Sequence, residues 1–284
     1  MTPEEAIKAV PRHPFIPDRI FVRNENNHLV PCERREDPER WREAVDSEGP
    51  VVTRAAFDTA IPPEYRNAAT GAGVEATSSN SAPHIVRRML EALDLEPGMA
   101  VLEIGSGTGW NAALLATIAG VSNVTTVEID PELAALARTN LERAGCPVEV
   151  ITGDGELGHP RNAPYDRVIC TAAVSNLPYV WVEQTRPGGI ILAPWGPIHP
   201  DWPLCHLVVT DEGTADGRFI APSWFMPLRD QRPSRAAARQ AEKLWKTLGE
   251  PTIDRFGITV SPEGQRIWLD LPDNPIDKAW SSVR

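Results

Sequence analysis

The chain has 284 residues, with 28 Lys and Arg against 39 Asp and Glu and a formal net charge of −11. One domain of ordinary size plus additions is expected, long enough to bury a substantial core, and the acidic balance argues against a general nucleic-acid surface, which would be basic. No apolar run reaches membrane-spanning length, the start Met1-Thr-Pro-Glu-Glu5 lacks the basic region and apolar core of a signal peptide, and Cys32, Cys146, Cys170 and Cys205 are scattered without C-x-x-C spacing, so a cytoplasmic protein with free thiols and no metal site is expected.

In chain order, Thr2 followed by Pro3 and two acids predicts a short capped helix, which the proline-punctuated segment to Pro17 breaks. Residues 23–50 are strongly polar and read as a solvated face or flexible insert. Residues 51–62 supply a strand and a turn. The small, polar residues 63–80 read as a loop, a place where rigid scaffolds often carry function. Residues 82–93 form a predicted helix. Ile85, Met89 and Leu93 recur at four-residue spacing, with Ser81 or a close neighbour as the cap.

The most informative stretch is Val101-Leu-Glu-Ile-Gly105-Ser-Gly107-Thr-Gly109-Trp110. A nearly unbroken apolar run fits a strand buried on both faces. Three glycines follow at every second position, and then a helix begins at Asn111. Strand, glycine turn and helix suit a ligand at a helix N-terminus, where backbone N–H groups are unpaired and glycines allow close approach. The spacing differs from the G-x-G-x-x-G of dinucleotide folds, which disfavours a nucleotide-dependent oxidoreductase. With Glu103 before it, the turn resembles that of class I S-adenosylmethionine (SAM) methyltransferases.

Two later strand ends support this reading. Asn123–Asp130 is a second strand, and Glu128 at its end can accept both ribose hydroxyls. Asp130 before Pro131 reads as the N-cap of the next helix. Residues 148–155 are a third strand, ending Gly153-Asp154-Gly155, where the resemblance implies that Asp154 takes the adenine amino group. Strand four (165–173), a helix (177–185) and strand five (188–196) follow. Residues 203–210 and 218–220 make a hairpin. The alternation predicts a doubly wound, seven-stranded Rossmann-like α/β sheet with one antiparallel strand and the donor at the carboxyl ends of the strands. Residues 234–249 form a helix closed by Gly249, 258–270 a hairpin, and 271–280 an irregular tail. The expected organisation is an N-terminal segment with a polar insert (1–75), a methyltransferase core (76–228) and a small α+β appendage (229–284) leaning on it.

An ordered set of motifs narrows the resemblance. Ala9-Val-Pro11-Arg12-His13-Pro-Phe15-Ile-Pro17, Ser81-Ala-Pro83-His84, the glycine motif, Gly153-Asp-Gly155, Tyr165-Asp166-Arg-Val-Ile-Cys-Thr171-Ala-Ala173 and Gly188-Gly-Ile-Ile-Leu-Ala-Pro194-Trp-Gly196 are similar to those of protein-L-isoaspartate O-methyltransferases. The resemblance implies SAM as cofactor, bound by Glu103, Gly105, Ser106, Gly107, Gly109, Glu128, Ile129, Asp154 and Gly155. It implies transfer to a peptide carboxylate, with Ser81 as the active-site serine and Asp58, Ser79, Asn80, His84, Thr171 and Ala172 around the acceptor. Arg12 and His13 bring positive charge to the acceptor or make structural pairings.

Before Ala82-Pro-His84 the family carries a Gly-Gln-Thr-Ile-Ser type run; here it is Thr77-Ser78-Ser79-Asn80-Ser81, with Asn80 at an apolar position. With its C-terminal extension, the chain resembles relatives that esterify normal aspartate in ribosomally made peptides, giving aspartimide. That is the expected activity. Repair of isoaspartate in damaged proteins is the alternative, and a SAM-binding module without turnover is a second one. The expected partner is a peptide or protein bearing Asp or isoaspartate, with no nucleic acid and no membrane.

Overall fold

A computed structural model describes residues 1–196 and 199–276. The chain opens with α1 (Pro3–Ala9), where Thr2 and Glu5 exchange hydrogen bonds as a capping box. Next come β1 (Arg19–Arg23), β2 (Leu29–Glu33), α2 (Pro38–Asp46), β3 (Val51–Phe57) and β4 (Val74–Asn80). The four strands form an antiparallel sheet in the order β2-β1-β3-β4. Ile20, Cys32 and Val51 are buried against Trp41 and Val45 of α2, and the Trp41 indole N–H donates to Pro17 O at 3.0 Å.

Residues 23–50 are therefore not a solvated face or flexible insert. Their few apolar residues are divided between one strand, β2, and one helix, α2, so no window of sequence shows a period. Only antiparallel pairing of Arg19–Arg23 with Leu29–Glu33 gathers them. Likewise the end of the supposed loop 63–80 is strand β4. Its serines, threonine and asparagine carry no apolar alternation, and its conformation is imposed by pairing with β3.

The second layer follows the expected alternation: α3 (Pro83–Leu93), β5 (Val101–Ile104), α4 (Trp110–Ala119), β6 (Val124–Glu128), α5 (Pro131–Arg143), β7 (Glu149–Thr152), β8 (Tyr165–Cys170), α6 (Tyr179–Glu183), β9 (Thr185–Pro194), β10 (Pro203–Val209), β11 (Ala215–Pro222), α7 (Arg235–Thr247), β12 (Phe256–Ser261) and β13 (Gly264–Leu269). One sheet holds all nine strands in the order β13-β12-β11-β10-β9-β8-β5-β6-β7. Strands β5 to β9 are mutually parallel, and β10 to β13 continue as an antiparallel meander. Residues of α1, α3, α4 and α5 share the core on one face; α6 and α7 pack into the core on the other.

The α/β methyltransferase architecture is thus present, with nine strands in place of seven and two strands, β10 and β12, running against the parallel set. The expected boundary at 75/76 cuts through β4, and that at 228/229 divides β11 from its ladder partner β12. Leu269 and Ile276 are tied by backbone hydrogen bonds to Asn274 and Ile267; the rest of the predicted irregular tail, 277–280, lies outside the described residues. Among the described residues no helix is long and apolar enough to cross a membrane.

Candidate active site

The carboxyl ends of β5, β6 and β7 face the N-terminal sheet across a cleft of about 1340 Å³. The glycine turn forms its floor. Gly105, Gly107 and Gly109 have φ of +94°, +53° and +92°, a region costly for any residue with a Cβ. A Cβ on Gly105 would come within 2.8 Å of Thr171 Oγ1, whereas Gly107 has only Ser79 O, at 3.9 Å, near the corresponding point. Gly107 thus leaves open space where a ligand can meet backbone. Its N–H donates to Glu128 Oε2 at 2.9 Å, and Asp130 N–H donates to Oε1 at 3.1 Å. Burial raises the Glu128 pKa, while these two backbone bonds oppose the rise. Asp154 is exposed on the cleft wall and accepts from Glu156 N–H at 2.9 Å.

The other half of the cleft is made where β4 runs into α3. Ser79, Asn80, Ser81 and His84 line it, with Thr171 and Ala172 opposite. The N-cap of α3 is Ala82, with Pro83 as the first helical residue and no side-chain cap bond. Ser81 is therefore not the cap, and its hydroxyl has no hydrogen-bond partner among the described residues. Asn80 is 4% exposed. Its Nδ2 donates to Thr108 Oγ1 at 3.0 Å, while its Oδ1 is buried without a partner among the described residues. The Thr171 hydroxyl donates to Gly105 O at 2.6 Å, which joins the two halves.

Three expected site residues lie elsewhere. Glu103 is fully buried behind the glycine turn, accepting from Asn111 Nδ2 at 2.7 Å and Thr126 Oγ1 at 2.5 Å. It braces the turn from below, and its pKa is pushed up to about 7 by burial. Gly109 is packed against α5, where a Cβ would meet Leu141 Cγ at 3.2 Å. Asp58 is not in the cleft lining; its Oδ1 accepts from Ala60 N–H at 2.8 Å in a local turn. The remaining expected residues, Ser106, Ile129 and Gly155 among them, do line the cleft. Asp130 caps α5 as expected, accepting from Glu132 and Leu133 N–H.

Arg12 is a structural residue. It is 7% exposed, and its guanidinium donates to the carbonyls of Val45, Ser47 and Gly49 at 2.5, 2.5 and 2.8 Å, reaching Ser81 O at 3.4 Å.

Sequence reasoning missed the outer walls of the cleft. These are Arg19, Phe21, Arg23 and Arg54 from the N-terminal sheet, and Trp224, Phe225, Arg229 and Arg232 from the segment after β11. The alternation Arg19-x-Phe21-x-Arg23 was the available signal, since i, i+2 and i+4 share one face of a strand. Arg54 crosses the cleft, donating to both oxygens of Asp130 at 3.2 Å and to Glu132 at 2.8 Å.

Residues 24–233 match the family described as protein-L-isoaspartate(D-aspartate) O-methyltransferase. The protein-L-isoaspartate O-methyltransferase of Hyperthermus butylicus is 42% identical over 194 residues, 63% of this chain and 79% of that protein. The Methanopyrus kandleri protein of the same name is 35% identical over 227 residues, 79% of this chain and 81% of that protein. A solved protein-L-isoaspartate O-methyltransferase shares the fold with a TM-score of 0.64 at 18% identity, covering 95% of each chain. With three quarters of its length matched and the glycine turn, Glu128 and Asp154 aligned on successive strand ends, this chain belongs to the protein-L-isoaspartate(D-aspartate) O-methyltransferase family and is a SAM-dependent carboxyl O-methyltransferase.

Proposed function

We propose that the chain methylates the free carboxylate of isoaspartyl residues in polypeptides. The observation that carries this reading is the family match over residues 24–233, which supply all of the cleft lining except Pro17, Arg19, Phe21 and Arg23. The resulting ester is activated. The neighbouring backbone amide nitrogen attacks its carbonyl, methanol leaves, and a succinimide closes.

The residues present fit the donor. Gly107 offers space and backbone, Glu128 offers a carboxylate for the ribose hydroxyls, and Asp154 one for the adenine amino group. Ser106, Ile129 and Gly155 complete the wall. When bound, SAM supplies an electrophilic methyl group. The acceptor carboxylate has an ordinary pKa near 4 and is already ionised at neutral pH, so no strong base is required. The acceptor half accordingly presents hydroxyl and amide groups: Ser79, Asn80, Ser81 and Thr171, with His84 and Ala172 as walls. The Ser81 hydroxyl, without a hydrogen-bond partner among the described residues, donates to the carboxylate and holds it for in-line attack. Positioning and exclusion of water supply the rate. Glu103 and Gly109 serve the site from behind, by holding the turn.

The run Thr77–Asn80 favours a second reading, in which a normal aspartate of a ribosomally made peptide is the acceptor. The Ser78 side chain is engaged by Thr53 Oγ1 at 3.0 Å inside the sheet, so no long polar side chain reaches the acceptor from that position. Mass spectrometry of matched peptides, isoaspartyl-Gly and aspartyl-Gly, incubated with SAM separates the two. Methyl ester or succinimide from the isoaspartyl peptide alone is expected. Product from the aspartyl peptide alone would favour the second reading, and product from neither would leave a dedicated precursor as the acceptor to try.

A further inference from the structure

The N-terminal sheet contributes Arg19, Phe21, Arg23 and Arg54 to the cleft, and residues 1–80 contribute no carboxylate to its lining. In a chain of net charge −11 this is a marked local excess of positive charge. The lining carboxylates Glu128, Asp130, Asp154 and Glu156 lie at the ends of β6 and β7, on the donor half; Asp230 is the one on the outer half. Arg54 is matched by Asp130 and Glu132, and Arg232 by Glu75. Arg229 lies 3.8 Å from Asp130, and Arg19 lies 3.3 Å from Glu33. Arg23 has only a backbone acceptor, Asn27 O at 2.7 Å, and no carboxylate partner among the described residues.

Strand register places this wall relative to the acceptor site. Phe21 pairs with Val52, and Val52 pairs with Ser79. Phe21 is thus in the same row as Ser79, two strands away, or roughly 10 Å at the usual strand spacing. Arg19 and Arg23 flank Phe21 on the same face. An extended polypeptide advances about 3.3 Å per residue, so a segment crossing this sheet reaches the wall about three residues from its acceptor. Across the cleft stands Trp224, 64% exposed with φ +54°. The chain beside it is fixed by Ser223 N–H to Trp202 O at 3.1 Å and by Ala173 N–H to Met226 O at 2.7 Å. An exposed aromatic held in a costly conformation is characteristic of a binding surface.

We infer that Arg19, Phe21 and Arg23 form, with Trp224 opposite, a subsite that selects polypeptide acceptors carrying an acidic residue about three positions from the methylated carboxyl. This rests on the acceptor being a polypeptide, as proposed above. The test uses isoaspartyl peptides with Glu, Gln or Lys three residues before or after the acceptor, assayed for kcat/KM and, with a fluorescent label, for binding. Glu on one of the two sides is expected to improve kcat/KM over Gln by about fivefold, the worth of one or two exposed ion pairs. The gain should reside in KM and shrink as salt is raised. In Arg19→Gln/Arg23→Gln the Glu-to-Gln ratio should fall to about one, and in Arg23→Glu the Lys peptide should become the better one. SAM affinity should be unaltered in both variants. Equal kcat/KM for all flanks, or a Glu preference that survives the double substitution, overturns the inference. If no peptide is methylated, the reaction assignment fails, and the labelled peptides still report whether the subsite selects Glu.

Discussion

At the scale of single residues, the site depends on which polar groups are engaged by the protein and which are left for a ligand. The hydroxyl of Ser81 has no partner among the described residues and does not cap α3, so Ser81→Ala should fold normally and bind SAM as before. Its kcat should fall about 10- to 100-fold, the worth of a hydrogen bond to a charged group; equal loss in kcat and SAM affinity would mean that the hydroxyl supports the loop. Glu128 is different because its two oxygens hold Gly107 and Asp130 backbone N–H groups. Glu128→Ala should weaken SAM binding by about 100-fold, read by calorimetry. Glu103 carries a pH signature. Its folded pKa of about 7 lies above the ordinary carboxyl value, so folding favours the protonated form. Its contribution to stability is complete below the unfolded pKa and is lost as pH rises through about 7. Between pH 5 and 8, the melting temperature of the wild type should fall more than that of Glu103→Gln, which keeps the shape and cannot ionise. Parallel curves would show that Glu103 does not titrate there. Glu103 was legible as important and misassigned in role, because a carboxylate before a glycine turn looks the same in sequence whether it faces the cleft or the core.

At the scale of elements, two devices hold the cleft's geometry. The first is close packing around its glycines. Gly155 sits where a Cβ would collide with the Ile104 side chain, so Gly155→Ala must displace the end of β5, at a cost of about 1–3 kcal/mol visible in denaturant unfolding. The second is Arg12, whose guanidinium binds the carbonyls that close α2 and reaches the Ser81 loop. Arg12→Met should cost about 3 kcal/mol, since it leaves several buried carbonyls unpaired. Arg12→Lys should recover little, because a single ammonium cannot span acceptors that a planar fork reaches. The glycine turn, its strand and its helix were readable because local chemistry specifies them completely. Strand β4 was not readable, since small polar residues take their conformation from the partner strand.

At the scale of the whole molecule, the C-terminal residues belong to the fold they were expected only to lean on. Phe256, Ile258 and Val260 of β12 are buried in the same core as β9 to β11. Gln231 receives the Ser175 and Asn176 backbone N–H groups at 2.8 and 2.9 Å and donates to Glu156 at 3.0 Å. A chain ending at residue 228 should therefore aggregate or lose cooperative unfolding. A soluble truncated form with wild-type melting would show the appendage to be separable. By itself the sequence determined the parallel half of the sheet, the donor turn and the acids that follow it, because strand–glycine–helix units are specified by neighbours within a few residues. Only the tertiary structure decided that a polar N-terminal stretch is a folded sheet, that its arginines line the cleft, and that Trp224 lines the same cleft as Ser81 and Thr171. Those facts depend on contacts between residues tens of positions apart, and the burial that drives them has no signature within any single stretch of the chain.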